Sequence, residues 1–261
     1  MTTESSDLEW LGLERRAKGE WSFELTGPLS RFDGKFYGGT GIAIMSALLE
    51  TETNRLPLWA SVQFVGSCNV GDRVDCHVEV LAEGRRTAQV RMQATVDDRV
   101  MLEAIGSAGE ERPDAVSAQF GGMPDVEPPE TSDSWRPRVP FEVDMNRPSW
   151  LQVADIRDAV GTRHYAIWAR MRDRPQSFAS LGFLADMVPT AVVKAAGRAG
   201  AGTSLDNAMR FGPRPDCEWI LIDFDPYFAA GGYAHGGARL WSPDGILLGV
   251  ASQTATMLLF D

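Results

Sequence analysis

Cysteine and histidine are scarce in this chain, with three of each among 261 residues. The cysteines are odd in number and show no CxxC spacing, which excludes a disulfide framework and a zinc-finger pattern. The histidines are scattered, and none stands at metal-ligand spacing from a cysteine or another histidine. We therefore expect no metal and no other cofactor, and a cytoplasmic protein with reduced thiols.

Positive charge and long apolar runs are also in short supply. The chain has 25 Lys and Arg against 36 Asp and Glu, a net charge of −11, and a nucleic-acid partner would need a basic face. No run approaches the ~20 apolar residues of a membrane helix. The start of the chain is acidic and polar, the reverse of a signal peptide. We expect no nucleic-acid binding and no membrane insertion.

An internal repeat organises the chain. An offset of 147 positions places Trp21 on Trp168, Phe64 on Phe211, Gly84 on Gly231 and Asp97 on Asp244 without a gap. Aromatic anchors and turn residues keep the same register, which indicates a duplicated structural unit.

Each unit has the same order of elements. In the first, a short strand precedes an apolar helix over 40–50, and four strands with period-two alternation follow. Short connections predict antiparallel pairing, and an all-apolar helix must be buried. We predict an α+β fold, a double hotdog in which each curved antiparallel sheet wraps around a central helix. In the second unit we predict the helix over 182–196 and the four following strands over 204–211, 219–224, 233–241 and 246–257.

A proline-rich segment separates the two units. Seven of the 15 prolines lie between Gly109 and Ser149, which predicts a linker with little regular structure. We assign residues 1–109 to the first unit, 110–150 to the linker and 151–261 to the second unit. The strand at 219–224 is apolar on both faces, so we expect the other unit or a second chain to cover it. A homodimer or larger homo-oligomer is the corresponding expectation.

Asp186 is the one carboxylate in the apolar segment 182–190. One interpretation is structural, because Asp is a favoured N-cap and Pro189 would then fall in the first helical turn. The repeat favours a functional interpretation. The 147-residue offset places Asp186 on Gly39, so one unit has a carboxylate where the other has glycine.

Two further polar residues stand where the repeat predicts proximity to this helix. Gln253 shares the strand face of residues that align with inward-facing positions of the first unit, and a buried amide needs hydrogen-bond partners. Ser204 begins a strand, where Thr203 is an equally good hydroxyl facing the opposite way. For both Gln253 and Ser204 a purely structural role remains open at this point.

The sequence resembles the acyl-CoA thioesterase II family, double-hotdog enzymes that hydrolyse acyl-CoA. The resemblance covers nearly the whole chain: Phe36-Tyr-Gly-Gly39 before a helix, Leu184-Ala-Asp-Met187 with Pro189, Ser204-Leu-Asp206, and Val250-Ala-Ser-Gln253 after Asp244-Gly. It implies a catalytic set of Asp186, Ser204 and Gln253 and substrate binding near Gly38 and Gly39. The strictest register places the family's Gln at Ala255, so Gln253 is two residues early.

The resemblance implies hydrolysis by a water that Asp186, Ser204 and Gln253 hold, with the Asp as general base and helix-start amides stabilising the oxyanion. An acyl-CoA is the implied partner. Two alternatives stand beside this reading. A hotdog hydratase would need a His/Asp pair, which we do not find in the sequence. A non-catalytic acyl-CoA or lipid-binding protein would fit the displaced Gln253.

Overall fold

The computed structural model describes residues 3–112, 114–136, 148–161 and 165–260. Its centre is one twelve-stranded sheet in the order β1-β2-β4-β5-β6-β3-β9-β12-β11-β10-β8-β7, with every neighbouring pair antiparallel. The strands are β1 Glu14–Ala17, β2 Glu20–Glu24, β3 Leu56–Phe64, β4 Arg73–Glu83, β5 Thr87–Val96, β6 Arg99–Gly109, β7 Ala154–Ala159, β8 Tyr165–Met171, β9 Gly200–Phe211, β10 Ile220–Ala230, β11 Tyr233–Trp241 and β12 Leu247–Leu259.

The helices are α1 Thr3–Leu11, α2 Gly38–Thr53, α3 Phe178–Leu184 and α4 Val188–Ala195, with short 3-10 turns at Gly27–Leu29 and Trp150–Gln152. The double-hotdog α+β prediction is confirmed, and the predicted strands are present with ends moved by up to about six residues, the largest change being β10, which extends to Ala230. The edge strands β1 and β7 were not predicted. Every residue of β1 is exposed, so β1 has no apolar alternation to detect.

The register of the central strand pair supports the duplication. Strands β3 and β9 join the two halves of the sheet, and at the middle of their contact Ser61 lies opposite Ala208. These two residues are related by the repeat offset, so an approximate two-fold relation passes between them. Strands β4 and β10 are also related by this offset, which matches both their first and their last residues.

Helix α2 is the core helix of the first unit. All of its residues from Gly38 to Glu50 are buried, as the uniformly apolar sequence predicts. The helix ends at Asn54, which adopts a left-handed conformation (φ 51°) and donates its amide to the Glu50 carbonyl.

The predicted helix over 182–196 is wrong in one respect. The structure has two helices, α3 and α4, with a break at Ala185–Met187. Pro189 explains the break, because a proline has no amide to donate and its ring would clash with the carbonyl four residues earlier, here that of Ala185. Ser177 begins α3 with a capping box, accepting from the Ser180 amide at 3.1 Å. Together Phe178–Ala195 have the mean hydropathy (1.3) and length of a membrane-spanning helix, but 78% of the stretch is buried within the protein.

The described part of the linker contains no α-helix or strand, and it covers the outer face of the second unit. Leu221 and Trp219 of that face pack with Trp168 and Trp241, and Met123 and Val126 of the linker lie against them. The linker is anchored by the Trp168 indole, which donates to the Glu127 carbonyl at 2.8 Å. The expectation that the other unit or a second chain covers this strand is therefore wrong, because the linker covers it.

Candidate active site

Asp186 lies in the break between α3 and α4, close to the start of α2. Its carboxylate oxygen Oδ1 accepts from Gln253 Nε2 at 2.5 Å and from Asn207 Nδ2 at 2.9 Å. The amide of Gly39 also donates to the carboxylate. The N-cap interpretation of Asp186 is wrong, because Met187 occupies the cap position of α4 and no side chain caps that helix.

The two glycines at the start of α2 make this approach possible. A Cβ atom on Gly38 would lie 2.6 Å from Asp186 Oδ2. On Gly39 it would lie 2.3 Å from the Phe183 carbonyl oxygen and 2.5 Å from Tyr37 Cε1. A side chain on Gly39 could not fit at such distances from a carbonyl oxygen and a ring. Because neither glycine has a side chain, the backbone at the start of α2 lies directly against the Asp186 carboxylate.

Gln253 connects Asp186 to Ser204. Its Nε2 donates to both, at 2.5 Å to Asp186 Oδ1 and 2.7 Å to Ser204 Oγ. This orientation of the amide is the favourable one, because the reverse would set its oxygen against an ionised carboxylate. The other end of the amide, Gln253 Oε1, is buried and has no hydrogen-bond partner among the described residues.

The register of β9 and β12 explains how these side chains meet. Gln253 lies opposite Asn207, and Ala255 lies opposite Ser204, with a bulge in which Leu205 is the additional residue. The bulge re-aims Ser204 toward the cluster that Asn207 and Gln253 occupy. Ser204 is therefore the hydroxyl at the site, whereas the Thr203 side chain is exposed and only its carbonyl is used, accepting from Thr256.

Burial controls the ionisation of Asp186. Removal of water from around the carboxyl raises its pKa from 3.8 to about 7, and the hydrogen bonds from Gln253, Gly39 and Asn207 offset part of this increase. Arg31 lowers the pKa further through its charge. As whole residues, Asp186 and Ser204 are half-buried. A carboxylate with a pKa near neutrality is suited to accept a proton from a reacting water.

The helix start offers a second chemical group. The first amides of a helix have no partner within the helix and carry part of its positive dipole. The Gly39 amide is occupied by Asp186, whereas the Gly38 amide has no hydrogen-bond partner in the described part of the chain. The cluster therefore combines a carboxylate, a hydroxyl, a carboxamide and a free backbone donor.

All five residues predicted for the site, Asp186, Ser204, Gln253, Gly38 and Gly39, thus come together. Asn207 was missed, although its position two residues before the buried Met209 on β9 gives it the inward orientation. Ala255, the alternative to Gln253, is buried and contributes no polar group. Two depressions of about 170 and 540 Å³ lie elsewhere, and neither is lined by these residues. Among the described residues no three His, Cys, Asp or Glu side chains are grouped as metal ligands.

The comparisons with known proteins give the family. The model of the acyl-CoA thioesterase N-terminal domain matches residues 25–109 and that of the acyl-CoA thioesterase C-terminal domain matches residues 110–257. The chain belongs to the acyl-CoA thioesterase family, and its general activity is the hydrolysis of thioesters. The C-terminal model includes the segment that we assign to the linker.

Solved structures share the whole architecture. A candidate thioesterase from Novosphingobium aromaticivorans is 28% identical with a TM-score of 0.86, the match covering 94% of this chain and 98% of that one. The tesB protein of Mycobacterium avium subsp. paratuberculosis is 20% identical with a TM-score of 0.81, covering 98% and 100%. Acyl-CoA thioesterase II TesB2 from Mycobacterium marinum is 19% identical with a TM-score of 0.73, covering 97% of each chain. The last two show the fold alone. Among curated proteins no match is found.

Proposed function

We propose that the chain hydrolyses acyl-CoA to a free carboxylic acid and coenzyme A at the Asp186, Ser204 and Gln253 cluster. The observation that carries the proposal is the pair of contacts from Gln253 Nε2, which fixes the carboxylate and the hydroxyl around one point. Gln253 Oε1 is buried and has no hydrogen-bond partner among the described residues, so the carboxamide is held through Nε2 alone.

The chemistry follows from the groups present. Asp186 takes a proton from the water as its oxygen attacks the thioester carbonyl carbon. The Ser204 hydroxyl accepts from Gln253 and keeps its own proton free to donate to the water or to the substrate. The free Gly38 amide at the start of α2 stabilises the negative charge on the carbonyl oxygen in the tetrahedral intermediate. Collapse of the intermediate breaks the carbon–sulfur bond, and the coenzyme A thiolate leaves.

Thiol release from acyl-CoAs of graded chain length, with wild type and Asp186→Asn, tests the proposal. Asparagine keeps the shape of the side chain and cannot accept the proton, so we expect a loss of about 10²–10⁴-fold in kcat/KM. Asp98→Asn is the matched control, because Asp98 lies in the β5–β6 turn with φ 63°, a conformation that Asn tolerates well. Comparable activity in wild type and Asp186→Asn would overturn the assigned base, and silence of both with retained acyl-CoA binding would favour a binding protein.

A further inference from the structure

A depression of about 170 Å³ lies on the outer face of the second unit, on the reverse side of the strands that carry Asn207 and Gln253. Its polar lining consists of Arg210, Asp225, Tyr227, Arg239 and Ser252. None of these residues belongs to the candidate active site.

The strand register places the two arginines on either side of one residue. Arg210 of β9 lies directly opposite Val250 of β12, and Val250 lies directly opposite Arg239 of β11. Residues that are directly opposite share a face of the sheet, so both guanidinium groups flank Val250 on the exposed face. With strands ~4.8 Å apart, their Cα atoms are roughly 10 Å apart, within reach of one anion for two extended arginines.

Small residues lie in the neighbouring row of the same sheet face. In the next row Ser252 lies between Ala208 and Gly237. A Cβ atom on Gly237 would lie 2.5 Å from Tyr227 Oη, so the phenol of Tyr227 folds over the sheet at that glycine. The missing side chain at position 237 thus leaves room for the Tyr227 phenol, which forms part of the wall of the depression.

The donors of this depression have no partners. Within the described residues the guanidinium groups of Arg210 and Arg239 and the hydroxyls of Tyr227 and Ser252 make no hydrogen bond or ion pair. By contrast, Arg91 on the outer face of β5 is paired with Glu79 at 2.8 Å. Two cations held side by side without hydrogen-bonded partners repel each other, and an anion between them would relieve that repulsion, although Asp223 of β10 lies directly opposite Arg239.

We propose that this depression is a binding site for a small phosphate monoester. The two arginines bind phosphate oxygens as planar forks, and the hydroxyls of Tyr227 and Ser252 donate to the remaining oxygens. Asp225 lines the same depression and would repel the phosphate itself. Because the Asp225 carboxylate can accept a hydrogen bond, it favours a ligand that carries a hydroxyl group beside the phosphate.

Calorimetric titration at low salt with inorganic phosphate and with glycerol 3-phosphate tests the site. We expect saturable millimolar or tighter binding of both, with glycerol 3-phosphate binding more tightly. Arg210→Gln and Arg239→Gln should each weaken binding about tenfold or more, the effect of losing a charge-assisted contact. Arg91→Gln removes the same charge from an exposed strand residue outside the depression and should change affinity less than about twofold.

The role of Asp225 gives a second measurement. Asp225→Asn should remove the preference for glycerol 3-phosphate while leaving the binding of inorganic phosphate equal or tighter. Thermal unfolding should show all four variants folded, since the side chains are exposed or make no interaction in the fold. Absence of saturable binding by wild type at millimolar phosphate, or an equal loss in Arg91→Gln, would overturn the proposal.

Discussion

Gly39 and Asp186 occupy equivalent positions in the two units, and in the folded chain they touch. The Gly39 amide donates to the Asp186 carboxylate, and a Cβ atom on Gly39 would lie 3.1 Å from Asp186 Cβ. The approximate two-fold relation between the units brings the starts of their core helices together. One unit supplies the acid and the other supplies a bare backbone donor to hold it.

Gly39→Ala should therefore disable the site. The added methyl would meet the Phe183 carbonyl oxygen and the Tyr37 ring at distances that backbone atoms cannot relieve. We expect a loss of at least about 100-fold in kcat/KM and roughly 1–3 kcal/mol of stability, as overpacking of a closed site typically costs. Thiol release and denaturant unfolding measure the two effects. Gly122→Ala is the control, since nothing lies within 4 Å of its Cβ position; similar losses in both variants would refute the close-approach argument.

Within the described residues, only the second unit has such a cluster of polar side chains. Under the repeat offset Ser204, Asn207 and Gln253 align with Pro57, Ala60 and Gly106, none of which carries a polar side chain. At these aligned positions the first unit therefore has the fold without the polar side chains, and its contribution to the cluster is the backbone at the start of α2. The asymmetry between the two halves is therefore visible in the sequence at each of these positions.

The pH dependence of hydrolysis should report Asp186. Because the base must be ionised and burial raises its pKa to about 7, kcat/KM should rise through neutral pH and level off above it. Asn207→Ala removes one hydrogen bond that favours the ionised form, so the rise should move to higher pH, by roughly half a unit to one unit. A full pH profile of each enzyme with a short acyl-CoA makes the comparison. A shift to lower pH in Asn207→Ala would contradict the assignment.

The raised pKa of Asp186 also makes the stability of the folded chain depend on pH. The unfolded chain loses the Asp186 proton near pH 4 and the folded chain near pH 7, so between these values the folded state binds more protons. The contribution of this group to the free energy of unfolding therefore falls as pH rises through that window. Asp186→Asn lacks this titration, and its stability relative to wild type should increase by about 4 kcal/mol from pH 4 to pH 8, since each pKa unit corresponds to ~1.4 kcal/mol.

Urea unfolding of wild type and Asp186→Asn at both pH values measures this difference. Comparing the two proteins cancels the titration of Asp7, whose pKa burial also raises. A constant difference between the proteins across the window would mean that Asp186 titrates near its ordinary value.

Much of the fold could be predicted from local pattern. Alternation along β5, with Val90, Met92 and Ala94 buried and Arg91 exposed, fixes which face is inward. The break between α3 and α4 was missed, although Pro189 signals it, because the apolar run on both sides suggests a single helix. Pairing of β9 with β12 supplies the bulge at Leu205, and no local pattern distinguishes a bulge from a regular strand.

For the candidate site, too, the sequence predicts the residue types but not the contacts between them. Asp186, Ser204 and Gln253 could be proposed from the repeat and the family resemblance, but their common contact depends on the strand register. The alternation of Asn207 with the buried Met209 indicates an inward side chain, but only the position of Asn207 opposite Gln253 brings it to the cluster. The cover over Leu221 was wrongly predicted because a proline-rich linker does not show in its sequence which surface it will follow.

Variants of Ser204 and Thr203 can show which of the two hydroxyls takes part in hydrolysis. Ser204 Oγ accepts from Gln253 Nε2 at 2.7 Å, whereas the Thr203 side chain is exposed. Ser204→Ala should lower kcat/KM about 10–100-fold, because it removes the hydroxyl donor and one acceptor for a buried amide. Ser204→Thr keeps the hydroxyl and should retain activity within a few-fold, and Thr203→Ala should be near neutral. Thiol-release kinetics of the three variants decide the matter, since a larger loss in Thr203→Ala than in Ser204→Ala would mean that the bulge aims the other hydroxyl at the substrate.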